Sequence, residues 1–137
     1  MPYAVPEFLQ WMLGRYNIYT LAKRADLNIS RLVNIGQGLY KGYAWEWRRL
    51  ESLYQKIQYH RMRIVGVPIR TARQYQTASS KTVDTIIDWA KSLQERIAYY
   101  YGLDVRSVRR GFEISQRTLD EISAEYVRYP ERELVFI

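Results

Sequence analysis

The feature that most constrains this fold is a helical repeat of apolar residues between Lys81 and Tyr101. Apolar side chains recur there every three or four residues, which is the spacing of one buried helix face. They are Val83, Ile86, Ile87, Ala90, Leu93, Ile97, Tyr100 and Tyr101. Gly102 would end this helix, because glycine tolerates the left-handed conformation of a helix terminus. No segment shows sustained apolar and polar alternation, so the sequence predicts an all-α protein.

Further helices are predicted on both sides of this repeat. Residues 6–13 are apolar nearly all round, so the rest of the chain or another molecule must bury them on several sides. Residues 44–63 carry an apolar stripe, and residues 69–80 predict a linker or a short basic helix. A short helix is expected at 105–110, and a last helix is expected to start at Ser115 and to be stopped by Pro130. The apolar tail, Leu-Val-Phe-Ile, would be sticky if it were free.

Residues 14–38 predict two short helices joined by a tight connection. Asn17 is suited to cap the first helix, and Asn28 or Ser30 the second, because their side-chain oxygens accept orphan backbone N–H groups. Gly36 and Gly38 would stop the second helix. The expected buried positions are Leu21, Ala22, Ala25, Leu32, Val33 and Ile35. The side chains expected to point outward are Lys23, Arg24, Arg31, Asn34 and Gln37.

The segment LAKRADLNISRLVNIGQG resembles the helix-turn-helix of repressor-type DNA-binding domains. The resemblance rests on the Leu-Ala pair, the small Ala25, an apolar turn residue and the apolar positions that follow. Asp26 stands where that family usually has Gly, Gly36 where it often has Glu, and Ile29 where a polar residue is usual. A plain helical hairpin, which demands the same small and apolar positions, remains the alternative.

The charge of the chain is unevenly distributed. Residues 1–74 carry 12 Lys/Arg and 4 Asp/Glu, a net charge of +8, whereas residues 75–137 carry 9 and 10, a net charge of −1. A basic half joined to a neutral half is typical of a polyanion-binding segment on a packed scaffold. We therefore predict a basic DNA-binding helical arm at 1–74 and a C-terminal helical bundle or assembly region at 75–137. The alternative is a merely soluble basic face.

Aromatic residues alternate with cations just after the hairpin, at Tyr40, Tyr43, Trp45 and Trp47. Arginine forks bind phosphate, and in single-stranded binders such rings stack on bases. The alternative is that these rings belong to the core or to a subunit contact. The candidate DNA-binding residues are Arg15, Lys23, Arg24, Arg31, Asn34, Gln37, Lys41, Arg48, Arg49, Arg61, Arg63, Arg70 and Arg73.

Several function classes find no support in the sequence. Cysteine is absent, which excludes disulfides and thiolate chemistry. No run of 18 apolar residues indicates a membrane span, and the first residues do not resemble a signal peptide. Asp84 and Asp88 lie one turn apart, but neither they nor the lone His60 has partners for catalysis or metal binding. We expect no enzyme activity, no cofactor and no metal.

The predicted architecture, an N-terminal helix-turn-helix arm followed by a small antiparallel bundle, resembles the major coat proteins of filamentous archaeal viruses. Size, basic arm, missing cysteine and Tyr/Arg richness carry this resemblance, and 16 Arg against 5 Lys is compatible with a hot habitat. It implies a virion subunit, made in the host cytoplasm, that wraps double-stranded DNA and assembles with like subunits into a helical filament.

Two other functions stay open. A cytoplasmic transcription regulator would read specific DNA sites with residues 17–38. A membrane-surface protein would need a wide apolar helix face, for which residues 44–63 are only a fair candidate. An enveloped relative would add a membrane contact, which the sequence does not show.

Overall fold

The structure, a computed structural model, describes residues 2–111 and is all-helical over that range. The helices are α1 (Glu7–Arg15), α2 (Ile18–Ala25), α3 (Ile29–Gly36), α4 (Ala44–Arg63), α5 (Ile69–Tyr75), α6 (Ser80–Tyr101) and α7 (Val105–Gly111). The all-α prediction is confirmed for these residues, which contain no strand. The helix expected from Ser115 and the apolar tail lie outside the described residues.

The chain forms two compact units, the first ending at Ile57 and the second beginning at Gln58, inside α4. This structural division differs from the division by charge after residue 74. Its reason is that Met62, Val65 and Ala72 pack into the same core as residues of α6. The prediction that DNA binding resides in residues 1–74 concerns function and stays a prediction.

The core of the first unit is built from one face of each of its helices. Leu9 and Met12 of α1 are fully buried, and Phe8, Trp11 and Leu13 pack against the same cluster. The nearly all-round apolar helix is therefore covered by its own chain. The other buried members are Leu21, Ala22, Ala25, Leu27, Leu32, Ile35, Leu50, Leu53 and Tyr54.

Two glycines of this unit permit close packing. An added Cβ on Gly36 would lie 2.8 Å from Leu13 Cδ1, so glycine lets α3 approach α1. Gly38 has a φ of +74° and accepts a 2.7 Å hydrogen bond from the backbone N–H of Tyr3. An alanine Cβ there would lie 2.6 Å from the Tyr3 carbonyl oxygen. The segment before α1 is thereby held against the end of α3.

The second unit packs α6 against the end of α4, the following loop and α5. The predicted stripe is buried from Val83 to Leu93, and Ile97 packs beside it. The prediction is wrong in the last turn, where Tyr100 and Tyr101 are exposed and Ala98 is buried instead. Gln94 is also buried, and its amide donates to the Val65 carbonyl at 2.6 Å while accepting from Arg109. This polar link joins three segments of the unit.

Candidate nucleic-acid interface

The helices α2 and α3 begin at the capping residues that the sequence predicts. The Asn17 side chain accepts from the backbone N–H groups of Tyr19 and Thr20, and the Asn28 side chain accepts from that of Ser30. Both caps are confirmed, and Asn28 rather than Ser30 caps α3. Asp26 adopts the left-handed conformation, with φ 55° and ψ 50°. Asp26 therefore has the backbone conformation that glycine adopts most easily, because aspartate tolerates it better than most residues.

Arg31 does not point freely outward, so that expectation is wrong. Its guanidinium makes two hydrogen bonds to the Glu46 carboxylate, from Nη2 at 2.6 Å and from Nε at 3.1 Å. Glu46 is 1% exposed, and it also accepts from the backbone N–H of Tyr43 at 2.9 Å. Because Glu46 lies at the third position of α4, this last bond is half of a capping box. The arginine thus fastens α3 to the start of α4.

The bridge between Arg31 and Glu46 changes the acidity of both groups in the direction of stronger pairing. The hydrogen bond from Arg31 lowers the pKa of the Glu46 carboxyl, burial opposes that shift, and the Tyr43 N–H adds to it. The hydrogen bond to Glu46 raises the pKa of the Arg31 guanidinium against a smaller effect of burial. Both shifts favour the charged form of each group, which stabilises the bridge at neutral pH.

Aromatic rings and guanidinium groups form a continuous layer around this bridge. The Arg31 guanidinium carbon lies 4.7 Å from the ring centre of Tyr40 and 5.2 Å from that of Tyr43. The Tyr43 and Trp45 rings are parallel within 8°, with centres 6.3 Å apart. Arg49 lies 4.8 Å from the Trp45 ring. The contacts between guanidinium groups and rings are attractive because the face of an aromatic ring is electron-rich.

A cationic groove of about 350 Å³ opens beside this layer, between the end of α2 and one face of α4. Four of its lining side chains are basic, namely Arg24, Arg48, Arg49 and Lys56, and Asp26 is the one acidic residue among them. The rest of its lining consists of Ala25, Trp45, Ser52 and Leu53. We use the name cationic groove for this set of residues.

The four cations of the groove differ in how firmly the chain holds them. Arg49 donates to the Asp26 carbonyl at 2.6 Å and lies 3.4 Å from the Asp26 carboxylate. Among the described residues, no carboxylate forms an ion pair with Arg24, Arg48 or Lys56. These three side chains are exposed. The groove therefore has an excess of positive charge that is available to an anion.

The other candidate residues of the first unit are not among the residues that line the groove. Arg15 is exposed and lies over the Trp11 ring at 5.0 Å, while Lys23 is exposed on the last turn of α2. Asn34 is half-buried, and its carbonyl accepts from the backbone N–H of Leu39 at 2.9 Å. Exposed Gln37 caps the end of α3, and exposed Lys41 accepts a hydrogen bond from the Trp47 indole at its carbonyl.

The candidates of the second unit fall into two kinds. Arg61 is paired with Asp84 and bonded to Gln58, and Arg63 donates to the Val67 carbonyl at 2.7 Å. These two arginines are half-buried and serve the packing of their own unit. Arg70 and Arg73 are exposed on α5. Within residues 2–111, no carboxylate forms an ion pair with either of them.

Two residues of the site, Glu46 and Lys56, are not among the residues predicted from the sequence. Glu46 was not singled out, although a glutamate three residues after the end of a loop is the signal for half of a capping box. Lys56 is absent from the predicted DNA contacts. Its signal is the spacing of Arg48, Ser52 and Lys56, which lie four residues apart and so share one helix face.

Comparisons with known proteins found no relative of this chain. No family model matches the sequence, and neither a curated protein nor a solved structure matches it. Within residues 2–111, no group of three or more His, Asp or Glu side chains is arranged to hold a metal, and no helix is long and apolar enough to span a membrane.

Proposed function

We propose that this protein is a structural double-stranded DNA-binding subunit that coats and condenses a linear viral genome through phosphate contacts. The observation that carries the proposal is the cationic groove, where three exposed cations, none of them paired with a carboxylate within residues 2–111, lie beside Arg49. A duplex presents a dense row of phosphate charges, and cations that neutralise them release condensed counterions. Such binding needs no catalytic group and no cofactor, and the proposal includes neither.

The position of the free cations favours coating over sequence reading. Arg31 is the one basic residue of α3, and it is held by Glu46. A helix that reads bases commonly presents arginine or lysine to guanine edges. Here the free cations of the groove belong to α2 and α4 instead, where they suit phosphates. Phosphate contacts fix the position of a protein on DNA without selecting a sequence.

Exposed aromatic residues support assembly with like subunits. Tyr99, Tyr100 and Tyr101 end α6, and Tyr99 is 91% exposed. Tyrosine is enriched in protein interfaces because one ring offers both apolar area and a hydroxyl group. In a filament, these rings would pack against neighbouring subunits. The location that follows from this proposal is the virion.

A sequence-specific transcription regulator is the second candidate. It is favoured by the left-handed Asp26 and by Asn28, which caps α3, because together they give α2 and α3 a short, well-defined connection. Ser30 on α3 and Gln37, directly after it, are exposed and carry groups that can hydrogen-bond to bases.

Affinity for unrelated duplexes separates the two candidates. For the coat subunit we expect affinities within about tenfold, equivalent to about 1.4 kcal/mol, because phosphates are common to every sequence. Electron microscopy of the purified protein with linear DNA should show filaments of uniform diameter. A duplex selected from a random pool and bound about 10³-fold more tightly, in discrete complexes, would instead identify a regulator.

A further inference from the structure

Tyr43 and Trp45 are large aromatic residues that the first unit leaves open to solvent. Their side chains are 63% and 45% exposed, although apolar area is normally buried where possible. The two rings are parallel within 8°, and the 6.3 Å between their centres is within the range of an offset aromatic pair. Although a guanidinium group lies against each ring, the exposure of both residues leaves part of each ring open to a partner.

The bridge between Arg31 and Glu46 fixes this aromatic pair in place. Glu46 holds the backbone N–H of Tyr43, and Arg31 lies against the Tyr43 ring. Arg49 lies against Trp45 and is itself anchored to the Asp26 carbonyl. A surface held in one arrangement loses little conformational entropy when a partner binds. These contacts, together with the exposure of the rings, favour a prepared binding surface.

We propose that the Tyr43–Trp45 pair is a stacking platform for unpaired nucleobases, so that the protein binds single-stranded DNA in addition to duplex DNA. Base stacking on aromatic rings beside a cationic groove is the usual basis of single-strand binding. Trp45 also lines the groove, so the phosphates next to a stacked base meet Arg48 and Lys56. One strand would therefore use both surfaces at once.

A duplex cannot use the platform in the same way. Its bases are stacked on one another, and their faces are accessible only where the strands separate. Phosphate binding in the groove needs no such separation. The inference therefore goes beyond the proposed coating function, because it adds Tyr43 and the ring face of Trp45 to the groove cations that both forms of DNA would use. Loss of the platform should leave duplex binding intact, whereas loss of groove cations should weaken the binding of both forms.

The test compares two oligonucleotides of about 16 nucleotides, a length that spans a typical single-strand site. One is oligothymidylate, and the other has the same phosphates but no bases. Titration of the full chain, followed by tryptophan fluorescence, should show tighter binding of oligothymidylate by about 5- to 150-fold, the contribution of one stacked base. Equal affinity for the two oligonucleotides would overturn the proposal.

Point variants assign the effect to the aromatic pair. Tyr43→Ala should remove most of the preference for oligothymidylate without changing affinity for the baseless strand or for a duplex, and Tyr43→Phe should retain the preference. Tyr43→Ala keeps the backbone N–H that Glu46 holds. Its matched control is Tyr19→Ala, which removes another exposed tyrosine of this unit, and circular dichroism would verify folding.

Two results would contradict the assignment. If Tyr43→Ala and Tyr19→Ala have equal effects on oligothymidylate binding, the pair is not a specific platform. If Tyr43→Ala weakens self-association and leaves the preference for oligothymidylate unchanged, the rings form a subunit contact. Arg48→Ala serves as the independent check on phosphate binding. It should weaken the binding of strands with bases and without bases by the same factor, and it should also weaken duplex binding.

Discussion

The two compact units carry similar net charge but use their arginines differently. Residues 1–57 have 8 Lys/Arg and 4 Asp/Glu, a net charge of +4, and residues 58–137 have 13 and 10, a net charge of +3. In the first unit, four cations line one groove. In the second, Arg61, Arg63 and Arg109 bind Asp84, the Val67 carbonyl and Gln94 of their own unit.

This comparison shows that a charge count alone does not locate a binding surface. Arg31 makes the same point within the first unit, because it is committed to Glu46 although its neighbours along the chain suggest a DNA-facing position. What distinguishes Arg48 from Arg31 is the absence of a carboxylate partner among the described residues.

Removal of the buried carboxylate should have the largest effect on stability. Glu46→Ala deletes the acceptor of three hydrogen bonds, two from Arg31 and one from Tyr43, and should lower the free energy of unfolding by about 2–3 kcal/mol. Asp84→Ala, its counterpart in the second unit, should cost less than about 1 kcal/mol, because the Asp84 side chain is 41% exposed. Urea denaturation would measure both. Equal losses would show that the two ion pairs contribute alike.

Two left-handed glycines give the next comparison. Gly38→Ala should cost about 2 kcal/mol, because its φ of +74° disfavours alanine and the new Cβ would lie against the Tyr3 carbonyl. Gly102→Ala should cost about 1 kcal/mol, because φ is +65° but the surrounding space is open. Melting temperatures of the two variants would rank them. A larger loss for Gly102→Ala would contradict the contact between the N-terminal segment and the end of α3.

Acid should weaken the first unit through Glu46 by a smaller amount. The folded protein lowers the pKa of this carboxyl, so its contribution is present above the pKa of the unfolded chain and is lost as pH falls through the folded pKa. The free energy of unfolding should therefore decrease from neutral pH towards strongly acidic pH. The decrease should be smaller in Glu46→Gln, which has no carboxyl to titrate. An identical pH dependence of the two proteins would exclude Glu46 as a source of acid sensitivity.

Local signals in the sequence were sufficient for most helix boundaries. The predicted ranges 44–63 and 81–101 correspond to α4 and α6, because each has an apolar stripe and a clear stop. The stripe failed only at its end, where Tyr100 and Tyr101 continue the spacing but are exposed. Periodicity describes the helix itself. The apolar spacing does not show how far the neighbouring elements extend along the helix.

The candidate site was less predictable because its main contacts are distant in sequence. Arg24, Arg48 and Arg49 were predicted and line one groove. Arg31 and Glu46 are 15 residues apart, and no local pattern distinguishes that pair from a free arginine and a surface acid. Gly36 departs from the helix-turn-helix pattern for a similar reason, since its missing side chain accommodates Leu13 of α1.

The salt dependence of duplex binding tests the central claim most directly. Arg48 and Lys56 line the groove without a carboxylate partner among the described residues, whereas Arg49 already contacts Asp26. If both bind phosphates, the double variant Arg48→Ala/Lys56→Ala should make the log–log slope of affinity against salt shallower by about 1.8, on every DNA sequence. The matched control Lys81→Ala/Lys91→Ala removes the same charge from exposed positions of α6 and should leave the slope nearly unchanged. An unchanged slope in the groove variant, or an equal change in the control, would contradict the account.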